Sequence, residues 1–109
     1  MNTSVLALVL ALASGEASTA DATATVHIKN FAFAPAKLTV PAGTVVRFVN
    51  DDGEAHTVTA ENRSFDSTGI DGGEAWAYRF AKPGTFAYFC ALHPYMKGAV
   101  VVVPAGAGK

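Results

Sequence analysis

The chain has a single cysteine, Cys90, in 109 residues, so it cannot close an internal disulfide and is not a small fold stapled by bridges. It has no basic run: 8 Lys and Arg stand against 9 Asp and Glu, and the electrostatic footprint of a nucleic-acid binder is missing. No nucleic-acid partner is expected. The apolar stretch over residues 5–13 falls well short of the ~20 residues that a membrane span requires. No window keeps a 3.6-residue apolar period for long, which argues against helices as the main element.

What is present is a chain that is half hydrophobic, with all three aromatic types, a composition able to bury one core in one domain. Residues 1–20 read apart from the rest. The apolar stretch is followed by small and polar residues ending Ala17-Ser18-Thr19-Ala20, the pattern of a signal peptide with its cleavage site. The first basic residue is Lys29, so the amino terminus alone supplies positive charge ahead of that stretch. The expected organisation is a leader over 1–20, removed after Ala20, and a domain over 21–109 exported to the periplasm. An oxidising compartment makes a lone thiol a liability unless something occupies it.

From Ala24 onward, short runs of β-branched and aromatic residues alternate with Pro, Gly and Asx clusters, the pattern of an all-β protein. Strands are expected over 25–29, 37–40, 44–50, 56–59, 74–80, 85–90 and 99–103. A long polar connection is expected over 61–73, and the valine-rich last strand is expected to be covered on both faces. Alternation puts Trp76, Tyr78 and Phe80 on one face, and Phe86, Tyr88 and Cys90 on another. Seven or eight strands in a chain this short imply a Greek-key β-sandwich or small barrel.

The chemistry concentrates in Cys90-Ala91-Leu92-His93-Pro94-Tyr95-Met96. A thiolate, an imidazole and a thioether recur every three residues just after a strand, and three donors on one short loop can converge on one ion. His56, at the start of a strand after a loop, is the fourth candidate. His27 alternates out of phase with Val26 and Ile28 and is expected to face water. Two imidazoles and a thiolate with a weak axial Met suit blue copper, whereas structural zinc takes four Cys or His ligands. The metal-site residues are therefore His56, Cys90, His93 and Met96, and the cofactor is one copper ion. Four protein ligands leave no open position for a substrate, so no enzyme is expected.

With these motifs in place, the sequence resembles the cupredoxins, the type 1 blue copper proteins, and within them the amicyanins. The likeness runs through Val26-His27-Ile28, Phe31-Ala32-Phe33, Leu38-Thr39-Val40, Gly43-Thr44, Phe48-Val49-Asn50, His56 and 84–90. The two residues between His93 and Met96 are its amicyanin-like feature. It implies a cupredoxin-like sandwich and a mobile one-electron carrier between redox proteins. It also implies that Asn50 braces the ligand loops, and that His93 is the electron port within an apolar docking patch of Ala55, Leu92, Pro94 and Tyr95. The carrier is expected to be a monomer.

Three positions depart from the family pattern: Thr57 stands where Asn is common, and Ala55 and Leu92 where Pro is common. The Thr57 amide is still available to the Cys90 sulfur, while the side-chain tether to the Cys loop is expected to be changed. Asp51, Asp52 and Glu54 are expected either to be turn residues or to steer a basic partner. Two other readings use the same donors. A copper chaperone or storage protein would release its ion to a mild chelator, and an enzyme would use Cys90 as nucleophile with His93 as base.

Overall fold

The computed structural model describes residues 22–106, so the expected leader over 1–20 lies outside the described residues. Eight strands form two four-stranded sheets. The first sheet has the order β2-β1-β4-β6, from β1 (Thr23–Ile28), β2 (Phe33–Ala34), β4 (Thr44–Asn50) and β6 (Ala75–Phe80). The second has the order β3-β8-β7-β5, from β3 (Lys37–Pro41), β5 (Thr59–Ala60), β7 (Gly84–Cys90) and β8 (His93–Val103). No helix occurs among the described residues. The pairs β1–β4 and β3–β8 are parallel and the others antiparallel, so the chain crosses between sheets as a Greek-key sandwich requires.

Residue alternation dictates which face each strand buries. In β4, Thr44, Val46, Phe48 and Asn50 point inward while Arg47 faces water. In β1, Val26 and Ile28 are wholly buried, and in β7 so are Tyr88 and Cys90. Full burial of a side chain such as Phe48 contributes about 1.5–3 kcal/mol, so these inward rows hold the sheets together. Pro41 cannot donate to a ladder, and it sits at the end of the edge strand β3, where no ladder bond is lost. Next to it, Gly43 takes a φ of 99°, and its N–H reaches the Phe80 carbonyl at 2.7 Å while Ala42 N–H reaches Val103 at 2.7 Å. That corner ties one sheet to the other.

The structure differs from the sequence reading in three places. The expected strand over 56–59 reduces to a single bridge between His56 and Ile70, and β5 begins only at Thr59. The 61–73 connection buries Phe65 and Ile70 at 6% and 4% exposure, so it is a packed flap rather than a surface loop. The last strand starts at His93 instead of Ala99. Within it Val100 and Val102 are buried, whereas Val101 and Val103 are half-buried, so one face is less covered than a valine run suggests.

Tyr88 occupies the centre of the sandwich, edge-on to Phe33 at 4.8 Å and to Phe48 at 5.5 Å. Its cross-strand partner is Gly98, and a Cβ there would lie 2.5 Å from the ring carbon and oxygen of Tyr88. The hydroxyl has no hydrogen-bond partner among the described residues, and burial pushes its pKa far above the ordinary phenol value. Gly98→Ala is expected to cost the metal-free protein about 1–3 kcal/mol through overpacking. Tyr88→Phe removes the unpartnered hydroxyl and is expected to leave stability unchanged or raise it by about 1 kcal/mol. Urea denaturation measures both, and an unaltered Gly98→Ala variant would contradict the packing described.

Candidate metal centre

Cys90 closes β7 and His93 opens β8, with only residues 91 and 92 between them. The pair Cys90↔His93 ends the β7–β8 ladder after a register shift between Phe89 and Cys90. That irregularity re-aims the last side chains of the ladder. Cys90, His93 and Met96 thus lie around a tight strand-to-strand turn, not on the short loop expected. His56 approaches from the other side, fixed by its N–H to the Ile70 carbonyl at 3.1 Å and by Ile70 N–H to its own carbonyl at 2.8 Å.

Cys90 Sγ lies 3.6 Å from His56 Nδ1 and 3.7 Å from His93 Nδ1, and the three donor atoms all fall within 4.8 Å of one another. Ligand bonds of about 2.3 Å to sulfur and about 2.0 Å to nitrogen, spread at ~120°, would separate S from N by about 3.7 Å. The spacing therefore suits one ion held between a thiolate and two imidazoles. Cys90 and His56 are wholly buried, Met96 is 2% exposed, and His93 is half-buried. His27 does face water, its Nδ1 2.7 Å from Asp51 Oδ2, and takes no part in the cluster.

Two bonds from Thr57 join the halves of the site. Its N–H points at Cys90 Sγ at 3.3 Å, and its Oγ1 accepts the Ala91 N–H at 2.7 Å. The side-chain tether expected to be altered at this position is thus present, supplied by a hydroxyl. Asn50 braces one side only. Its Nδ2 donates to the carbonyls of Glu54 and Ile70 at 2.8 and 2.9 Å, and its Oδ1 accepts the Asp52 N–H at 3.0 Å.

Two neighbours of the site were not legible as such in the sequence. Asp52 Oδ2 lies 2.9 Å from His56 Nε2, and its carboxylate also accepts the N–H groups of Asn30 and Phe31. Burial alone would raise its pKa, but the bonds from Phe31, His56 and Asn30 together outweigh burial and hold it below the ordinary value. Asp52 is therefore an internal ligand of the loops, not part of a free acidic cluster. Phe31 places its ring edge-on to both His56 and His93, at 5.1 and 5.0 Å. Its signal was a large aromatic followed by Ala32 and a second aromatic outside any strong strand pattern.

The model of the cupredoxin-like domain family matches residues 3–102. Amicyanin-alpha from Methylorubrum extorquens is 30% identical over 82 residues, covering 71% of this chain and 69% of its own. A solved amicyanin variant in its Cu(I) form has a TM-score of 0.70 and 28% identity, over 79% of this chain and 87% of that one. A copper-containing nitrite reductase from Thermus scotoductus has a TM-score of 0.69 and 32% identity over 73% of this chain, which spans 22% of that enzyme. A cysteine sulfur between two imidazole nitrogens fits the metal those names carry, and the chain belongs to the cupredoxin family, amicyanin-like in sequence and fold, with a single copper ion as its cofactor.

Proposed function

We propose that the chain is a mobile one-electron carrier, not an enzyme, with a type 1 blue copper site held by His56 Nδ1, Cys90 Sγ, His93 Nδ1 and Met96. The observation that carries this reading is the buried Cys90 sulfur 3.6 and 3.7 Å from two imidazole nitrogens. Copper so bound supplies a Cu(I)/Cu(II) couple, with soft sulfur suiting one state and imidazole the other. Cys90 and His93 are anchored on paired strands and His56 on a backbone bridge, so the donors stay in place when charge changes. The Thr57 N–H draws on the sulfur charge and thereby tunes the potential.

Cys90 has no exposed surface, which deprives a nucleophile of any substrate. His93 is the half-buried donor and the natural exit for an electron. Beside it in sequence, Leu92 and Tyr95 are 56% and 69% exposed, Pro94 is exposed and Ala55 half-buried. These four residues form the proposed docking patch for redox proteins, whose transient encounters bury under about 1,200 Å². The reading includes export to the periplasm after removal of 1–20, supported by the apolar stretch over 5–13, and a monomeric domain over 21–109.

Adding Cu(II) is expected to produce an intense thiolate-to-copper charge-transfer band in the red. Cys90→Ser should abolish it, and a folded, copper-loaded parent without the band would overturn the assignment. Retention of the ion against a mild chelator separates the carrier from a chaperone.

Met96→Gln should keep the blue colour but weaken Cu(I) relative to Cu(II) by ten- to a hundredfold. That is a drop of about 60–120 mV for a one-electron couple, read by redox titration; an unchanged potential would remove Met96 from the site.

Leu92→Glu places like charges opposite each other when two copies meet at the patch. Electron self-exchange, measured by NMR line broadening, is expected to slow at least about tenfold at low salt. An unchanged rate would place the exit elsewhere.

A further inference from the structure

Of the three acidic residues before His56, one is committed inward. Asp51 pairs with His27 at the surface and Glu54 is exposed, whereas the Asp52 side chain keeps only 11% of its surface in water. Its Oδ1 accepts the Asn30 N–H at 2.7 Å, and its Oδ2 accepts the Phe31 N–H at 2.9 Å and faces His56 Nε2 at 2.9 Å. Asn30 and Phe31 stand at φ of 55° and 56°, the left-handed region that non-glycine residues adopt only when something holds them there. Backbone bonds between Lys29 and Ala32, at 2.9 and 3.1 Å, close this hairpin turn, and the carboxylate fixes it further by taking the N–H groups of both residues between them. With that corner fixed, Phe31 lies edge-on to both imidazoles, at interplanar angles of 89° and 88°, while the imidazole centres are themselves 5.0 Å apart. Three rings close a triangle, and Asp52 binds two of its corners.

We propose that Asp52 is a positioning residue of the metal centre: one carboxylate fixes the tautomer and plane of His56, seats Phe31 against both imidazoles, and favours Cu(II) over Cu(I). This rests on the copper reading above. An ionised carboxylate only accepts hydrogen bonds, so Nε2 carries the proton and the Nδ1 lone pair is left facing the Cys90 sulfur. A carboxylate behind a ligating imidazole also makes it a stronger donor and stabilises the more highly charged ion. Phe31 fills the space beside both rings, so neither turns without displacing it.

The test pairs Asp52→Asn, which keeps the shape and removes the charge, with Asp52→Ala, which removes the clamp. In the metal-free protein, NMR of the imidazole nitrogens and of contacts from the Phe31 ring is expected to show one Nε2–H tautomer of His56 and Phe31 touching both histidines. Asp52→Ala should mix the tautomers and lose the contacts. In the copper-loaded protein, Asp52→Asn should move the Cu(II)/Cu(I) affinity ratio about tenfold toward Cu(I), a rise of about 59 mV. A single unchanged tautomer in Asp52→Ala, or an Asp52→Asn potential within twofold of the parent ratio, overturns the proposal. If Asp52→Ala does not fold, Asp52→Asn decides on both readouts. A parent that folds and gives no blue band sinks the copper reading instead, and the metal-free NMR then judges Asp52 alone.

Discussion

The metal centre depends on one short link between two parts of the chain that are distant in sequence. Thr57 donates its N–H to the Cys90 sulfur and accepts the Ala91 N–H on its hydroxyl, and these bonds clasp the His56 segment to the β7–β8 turn. Without them His56 would still be held by Ile70 and Asp52, but no hydrogen bond would tie its segment to the β7–β8 turn. Thr57 and Cys90 are buried, so water does not compete for the bond to sulfur, which is stronger than it would be at the surface; the bond from Ala91 is partly buried. A threonine manages both bonds because it carries a backbone N–H to donate and a hydroxyl oxygen to accept.

The site was more legible in the sequence than its setting. Cys90 and His93 were chosen by spacing, as donors three residues apart on one short loop, and the structure brings them together by a tighter route, a strand that turns back within two residues. His56 was placed by its position after a loop, although the strand it was thought to open is only a bridge. Asn50 was expected to brace both ligand loops, and its bonds reach only the side of His56 and Ile70. The alternation in β1, β6 and β7 identified the inward faces because a period of two puts successive side chains on opposite sides of a strand.

What stayed hidden depends on backbone conformation or on partners far apart in sequence. The left-handed corner at Asn30 and Phe31 has only Asn30 as a signal in residue type, and the carboxylate that reinforces its hairpin bonds lies 21 and 22 positions away in Asp52. Asp52 itself looked like one of several turn acids; its bonds to the Asn30 and Phe31 amides and to His56 Nε2 distinguish it from Asp51. Phe65 and Ile70 were read as isolated apolar residues in a polar stretch, and they are the anchors that turn that stretch into a flap over the core.

These pieces divide the histidines between two tasks. His56 is wholly buried, held by Ile70 through its backbone and by Asp52 through its ring, and every one of its polar groups is taken. His93 is half-buried, and its ring touches Phe31 and Tyr95, which are exposed. A site built this way has its rigid side toward the core and its open side toward solvent. In the proposed carrier, an electron leaving by His93 would cross one imidazole and reach an apolar rim, while the charge change left behind would be met by dipoles at Thr57 and by the carboxylate of Asp52. The asymmetry is therefore a physical requirement on a carrier: the groups that set the energy of the ion must be fixed, and only the group that passes the electron can stand at the surface.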